Sequence, residues 1–84
     1  MKIYWFSFSY EGVNNGVCLV QAYNKKEALQ KTIDLGIHPA HDDIMCVQLD
    51  ELGPKDQHME FDRLYTKPEM ALLGYSPVDS IKRV

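Results

Sequence analysis

A helix with both ends written into its residues, Asn24-Lys25-Lys26-Glu27-Ala28-Leu29-Gln30-Lys31-Thr32-Ile33-Asp34-Leu35-Gly36-Ile37, follows directly on two runs of strand-forming residues. Asn24 offers a side-chain acceptor to an orphan backbone N–H of the first turn, and Glu27, three positions on, matches the spacing of a capping box. Gly36 ends the helix because it readily takes the left-handed conformation; Ile37 then folds back onto the last turn and Pro39 blocks continuation. Ala28, Leu29, Thr32, Ile33 and Leu35 form an apolar stripe, with Lys25, Lys26, Gln30 and Lys31 in water, so this helix needs a layer to lie on.

The preceding residues supply that layer. From Lys2 to Tyr10 the chain alternates with period two, placing Tyr4, Phe6, Phe8 and Tyr10 on one face and Ile3, Trp5, Ser7 and Ser9 on the other. Glu11-Gly12-Val13-Asn14-Asn15-Gly16 reads as a hairpin connection whose Asn-Gly and Gly positions accept positive φ, and Val17 to Tyr23 as the returning strand. Ile44 to Leu49 is a third strand, apolar on both sides, which argues against an edge wetted on both faces. Leu52-Gly53-Pro54-Lys55 is a turn, and Gln57 to Tyr65 is either a short helix or irregular chain. Thr66-Lys67-Pro68-Glu69 opens a further helix, with Thr66 as cap, Pro68 in the first turn and Glu69 completing the box; Met70, Leu72 and Leu73 then pack inward and Gly74 stops it. Ser76-Pro77-Val78-Asp79 repeats this opening at smaller scale.

This order predicts an α+β fold: a small antiparallel or mixed three-stranded sheet (ββαβ) packed on one helix, with short C-terminal helices, in a single domain over residues 1–84. Both sheet faces are apolar, since Ile3 and Trp5 oppose Tyr4, Phe6 and Phe8, and Val17 and Leu19 oppose Cys18 and Val20. One helix covers one face. Either the chain beyond residue 56 covers the other, through Phe61, Leu64, Leu72 and Leu73, or another copy or partner does.

The formal charge of -3 argues against tight binding to phosphate backbones, so nucleic acid is not the expected partner. Acid is concentrated late: Asp42, Asp43, Asp50, Glu51, Asp56, Glu60 and Asp62 are matched over that span only by Lys55, which favours a basic partner. No run approaches the roughly 18 consecutive apolar residues of a membrane span, and a cytoplasmic location is the expectation. Cys18 and Cys46 both lie inside strand-like runs and read as reduced core thiols.

Three chemistries compete for these residues. His38, His41 and Asp42 or Asp43 form a string of nitrogen and oxygen donors that would suit a divalent metal or a small molecule, joined by His58 or Cys46, although Pro39 makes the string a loop and no established metal-hydrolase spacing is matched. Cys46 with His38 or His41 would make a thiol and its base, but burial among apolar residues keeps thiols inert. Tyr4, Phe6 and Phe8 on one strand would stack unpaired bases, although the basic flanks of such platforms are missing. No cofactor, metal site or catalytic residue is therefore assigned, and the chain is read as non-enzymatic.

The run from Tyr4-Trp5-Phe6-Ser7-Phe8 through Asn15-Gly16-Val17-Cys18-Leu19-Val20-Gln21-Ala22 to Glu27-Ala28-Leu29 and Leu35-Gly36-Ile37-His38-Pro39 resembles short bacterial and phage (prophage-type) proteins of no assigned activity. The resemblance covers the N-terminal half and carries no functional residues. It implies a small protein that binds and inhibits a host factor. The expected function is thus a protein-binding module, an inhibitor of a host defence or nucleic-acid-processing protein, with homodimerisation as a further route. Trp5, Phe61 and Tyr65 are its expected anchors, and Asp56, Glu60 and Asp62 its charges against a basic partner.

Overall fold

The alternating run at the start of the chain becomes the middle strand of the sheet. The computed structural model describes residues 1–38, 43–54 and 56–75. Strand β1 (Lys2–Tyr10) is flanked by β2 (Val13–Ala22) and β3 (Asp43–Leu49), both antiparallel to it, in the order β2-β1-β3. Helix α1 (Lys25–Asp34) links β2 to the far edge, and a 3-10 turn at Asp56–His58 and helix α2 (Lys67–Leu72) follow β3. This is the expected α+β architecture in its fully antiparallel form.

The hairpin turns earlier than the Asn-Gly pair suggests. Glu11 and Gly12 both take positive φ (50° and 80°), the pairing that matches a two-residue turn to the right-handed twist of its strands. Asn15 instead becomes the extra residue of a bulge: Phe8 pairs with Gly16 but Ser9 pairs with Asn14. The Asn14 side chain accepts the Gly16 N–H at 3.1 Å and steadies the bulge. Gly16, at φ 150°, has no Cβ, and one placed there would lie 2.6 Å from Leu64 Cδ1 and 3.2 Å from the Tyr65 carbonyl.

Register beyond the bulge keeps the two faces distinct. Tyr4, Phe6, Phe8, Cys18, Val20 and Ala22 are buried beneath Ala28, with Leu29, Ile37 and Cys46 packed at the margin. Asn24 caps α1 as expected, accepting the Glu27 N–H at 2.8 Å. Both helices end the same way: Gly36 N–H reaches the Ile33 carbonyl and Ile37 N–H that of Thr32, while Gly74 reaches Ala71 and Tyr75 reaches Met70. These paired bonds satisfy carbonyls that the last turn leaves open, and they turn Ile37 and Tyr75 back into the two cores.

On the opposite face Trp5, Val17 and Leu19 are buried under Met59, Tyr65, Met70 and Tyr75, with Ile3, Leu49, Leu52, Phe61 and Leu73 around them. The chain therefore covers its own second face. Two of the four residues expected to do so go elsewhere. Leu64 reaches round to the Phe6 side, and Leu72 is 89% exposed because α2 has only six residues and presents Met70 to the sheet. Ile33 and Leu35 also depart from the expected stripe of α1. They are about half exposed, because α1 rests on β2 through Ala28 and Thr32.

The largest correction concerns β3. An edge wetted on both faces was not expected of a strand apolar on both sides, yet among the described residues β3 pairs only with β1 and leaves Ile44 39% and Met45 41% exposed. Pro39, His41, Asp42 and the Ser76-to-Asp79 repeat lie outside the described residues.

Gly16→Ala is expected to lose about 1–3 kcal/mol by forcing overpacking at a positive-φ position. Urea unfolding of Gly16→Ala, Leu64→Ala and the double variant checks the contact: the pair should lose less than the sum of the two single changes.

Candidate protein-binding surface

The two outer edges of the sheet are finished differently. Along β2, Val17 donates to the Tyr65 carbonyl at 2.9 Å, Tyr65 donates back at 2.7 Å, and Asp62 donates to the Leu19 carbonyl at 2.8 Å. Residues 61–65 therefore close that edge, with Phe61 bridged to Leu19 and Tyr65 to Val17.

These bonds orient the whole sheet, because successive residues of a strand direct their N–H and C=O to opposite sides. With Val17 and Leu19 facing outward, Cys18 and Val20 face β1 and meet Phe6 and Tyr4. Ile3, Trp5 and Ser7 then face β3, where they meet Leu49, Val47 and Met45. It follows that Ile44, Cys46 and Gln48 direct their backbone groups away from the sheet. Among the described residues nothing pairs with them.

Charge is distributed just as unevenly. Around the closed edge, Lys31 of α1 lies 3.4 Å from Asp62 Oδ1 and donates to the Gln21 carbonyl at 3.3 Å. Arg63 lies 3.6 Å from Glu60, binds Glu69 at 2.5 Å and sits 4.5 Å over the Tyr65 ring. The Thr66 N–H and hydroxyl both donate to Glu69, and these bonds, with the Arg63 charge, hold the Glu69 carboxyl below its ordinary value. At the open edge, Asp43 begins β3 and Asp50 and Glu51 follow it, all exposed and without a cationic partner among the described residues.

Of the six residues expected at the contact, anchors and charges together, three are part of the interior. Trp5 is fully buried, donates its indole N–H to Ser7 Oγ at 3.1 Å and packs against Tyr75 at 5.7 Å between ring centres. Asp56 is fully buried too, accepting from the Gly53 N–H at 3.0 Å and from the Tyr75 hydroxyl. Tyr65 is buried, and its hydroxyl accepts the Glu60 N–H at 2.7 Å. An anchor must be exposed before it meets a partner, so these three are corrected to structural roles. Glu60, Phe61 and Asp62 stay together as the strap over β2, with Glu60 exposed and Phe61 and Asp62 half-buried. Ile44, Met45 and Gln48 were not singled out, and Asp43, Asp50 and Glu51 were counted only as part of the late acid: their types were legible, but not that their strand stands at the rim.

The competing chemistries fare as follows. Tyr4, Phe6 and Phe8 are buried under α1, so the aromatic face is closed to bases. His38 stacks on Phe8 at 5.0 Å, and the rest of the His38-to-Asp43 string lies outside the described residues except Asp43. Among the described residues, no three His, Cys, Asp or Glu side chains converge as a metal site. Burial, then the Asp62 and Cys46 charges, push the Cys18 thiol up to about 12. Burial also raises Cys46, against a lowering by Lys25. Cys18 and Cys46 pair with Phe6 from opposite sides. Two strand spacings, about 10 Å, thus separate them, beyond the reach of about 7 Å for a disulfide; both are free thiols.

No helix among the described residues is long and apolar enough to cross a membrane. No protein-family model, curated protein or solved structure matches the chain.

A thiol-reactive chromophore at pH 8 should label Cys46 slowly and Cys18 only after unfolding. Folded Cys18 keeps its proton to about 12, whereas the unfolded thiol loses it near 9.0. The contribution of Cys18 to stability is therefore whole below pH 9 and falls through that window, which pH-dependent urea melts of wild type and Cys18→Ala can separate.

Proposed function

We propose that the chain is a small non-enzymatic protein-binding module and that the exposed rim of β3 is its contact surface. One observation carries this reading: a strand apolar on both faces occupies the sheet edge, with its outer backbone groups unpaired among the described residues. Such an edge favours pairing with another chain, and proteins that do not use it usually blunt it with Lys, Pro, a bulge or a covering segment. The β2 edge has its covering segment at residues 61–65, whereas β3 has neither Lys nor Pro between Asp43 and Leu49.

The carboxylates of Asp43, Asp50 and Glu51 support a basic partner, through charge that steers encounter and rejects acidic competitors. The resemblance to short phage-type proteins adds inhibition of a host defence or nucleic-acid-processing protein as the physiological outcome of that binding.

Size-exclusion of a lysate containing the tagged chain at low salt should yield a stoichiometric protein partner. Ile44→Lys should release it while shifting thermal stability by no more than about 0.5 kcal/mol, as expected of a surface change. Absence of any partner, or retention undiminished by Ile44→Lys, contradicts the reading.

A further inference from the structure

The binding-module reading, on which this step rests, leaves open how β3 is engaged and by what. We propose that β3 takes up an extended segment of a partner protein as a fourth strand, and that this segment carries Lys or Arg at both ends of a short uncharged run.

The backbone supplies the first half of the argument. Ile44, Cys46 and Gln48 direct three N–H donors and three C=O acceptors outward along one line, as follows from the pairings of β1 with β2 and β3. From Ile44 to Gln48 the line is about 13 Å long at strand rise. An extended chain satisfies alternating donors and acceptors at that repeat; a helix does not, because its own backbone groups are already engaged. Side chains of the added strand would lie beside Ile44 and Gln48 on the α1 side and beside Met45 on the other.

Charge supplies the second half by discriminating between occupants. A second copy pairing antiparallel through β3 would set its own Asp50 and Glu51 beside Asp43, and the same at the other end. Three carboxylates would meet at each end, and like charges so placed on neighbouring strands are destabilising. The acids that disfavour a second copy favour a strand with a cation at each end, about 20 Å apart, matching Asp43 to Leu49 at strand rise. The middle is set by apolar side chains: Ile44 and Met45 stand exposed beside it, one on each face, so an uncharged run suits the centre of the added strand and a cation there would lose solvation against them.

The probe is a synthetic peptide of alternating valine and threonine, long enough to pair from Asp43 to Leu49, with a lysine at each end. Its counterpart has glutamate at both ends. In the free protein, the amides of Ile44, Cys46 and Gln48 should exchange with solvent rapidly, while those of Met45 and Val47 are protected. The lysine-ended peptide should slow the exposed three and should bind about tenfold or more tightly than the glutamate-ended one at low salt, the gap narrowing as salt is raised. Gln48→Pro removes an outward N–H and none of the bonds to β1, a position where strands tolerate proline, and should abolish binding. Reversing the charges with Asp43→Lys and Asp50→Lys should invert the peptide preference without touching the strand backbone.

Equal binding of the two peptides, protection of Ile44 and Gln48 in the free monomer, or dimerisation through β3 overturns the proposal. A partner from the lysate that still binds Gln48→Pro and the charge-reversed chain also overturns strand addition, but leaves the binding-module reading standing.

Discussion

Large side chains on both faces of β1 impose two coverings on one small sheet. Phe6 and Phe8 are served by α1, a helix with a defined start and stop. Trp5, with Val17 and Leu19, is served by residues 52–75, which contain little regular structure. A six-residue helix has too few internal bonds to persist alone. It is held because Met70, Leu73 and Tyr75 sit on the Trp5 face and because Tyr65 is bonded to Val17 in both directions. Buried Asp56 adds a tie from the Gly53 turn to Tyr75, so the covering is closed by polar contacts as well as by burial.

What could be read from the residues was local in origin. Asn24, Gly36, Thr66 and Gly74 determine helix ends through bonds spanning a few positions, and all four act as expected. Period-two alternation separated Trp5 from Phe6 correctly because the single bulge falls beyond Phe8 and leaves the central register intact. The misplacements were long-range. Asn15-Gly16 has hairpin chemistry, but Glu11-Gly12 took the turn, and Gly16 was needed where Leu64 and Tyr65 press on β2. Leu72, Ile33 and Leu35 are apolar without being buried, since contact depends on which way a short helix faces its sheet.

The surface was legible only in part, and for a similar reason. Acidic residues can be counted along a chain, but their partners come from elsewhere: Lys31 from α1 neutralises Asp62, and Arg63 takes Glu60 and Glu69. Those pairings move the uncompensated charge from the strap at 60–62, where it was expected, to the two ends of β3. Strand order did the rest. An apolar run such as Ile44 to Leu49 looks the same in the middle of a sheet as at its rim, and only the order β2-β1-β3 makes it an exposed edge.

The central claim is that this chain covers both faces of β1 by itself. Trp5 is the only tryptophan and is fully buried on the face in question, which makes it a direct reporter. Its fluorescence should be blue-shifted, poorly quenched by iodide, and unchanged on dilution from micromolar to nanomolar protein. Emission that moves to the red on dilution would mean that a second molecule, and not residues 52–75, shields the Trp5 face.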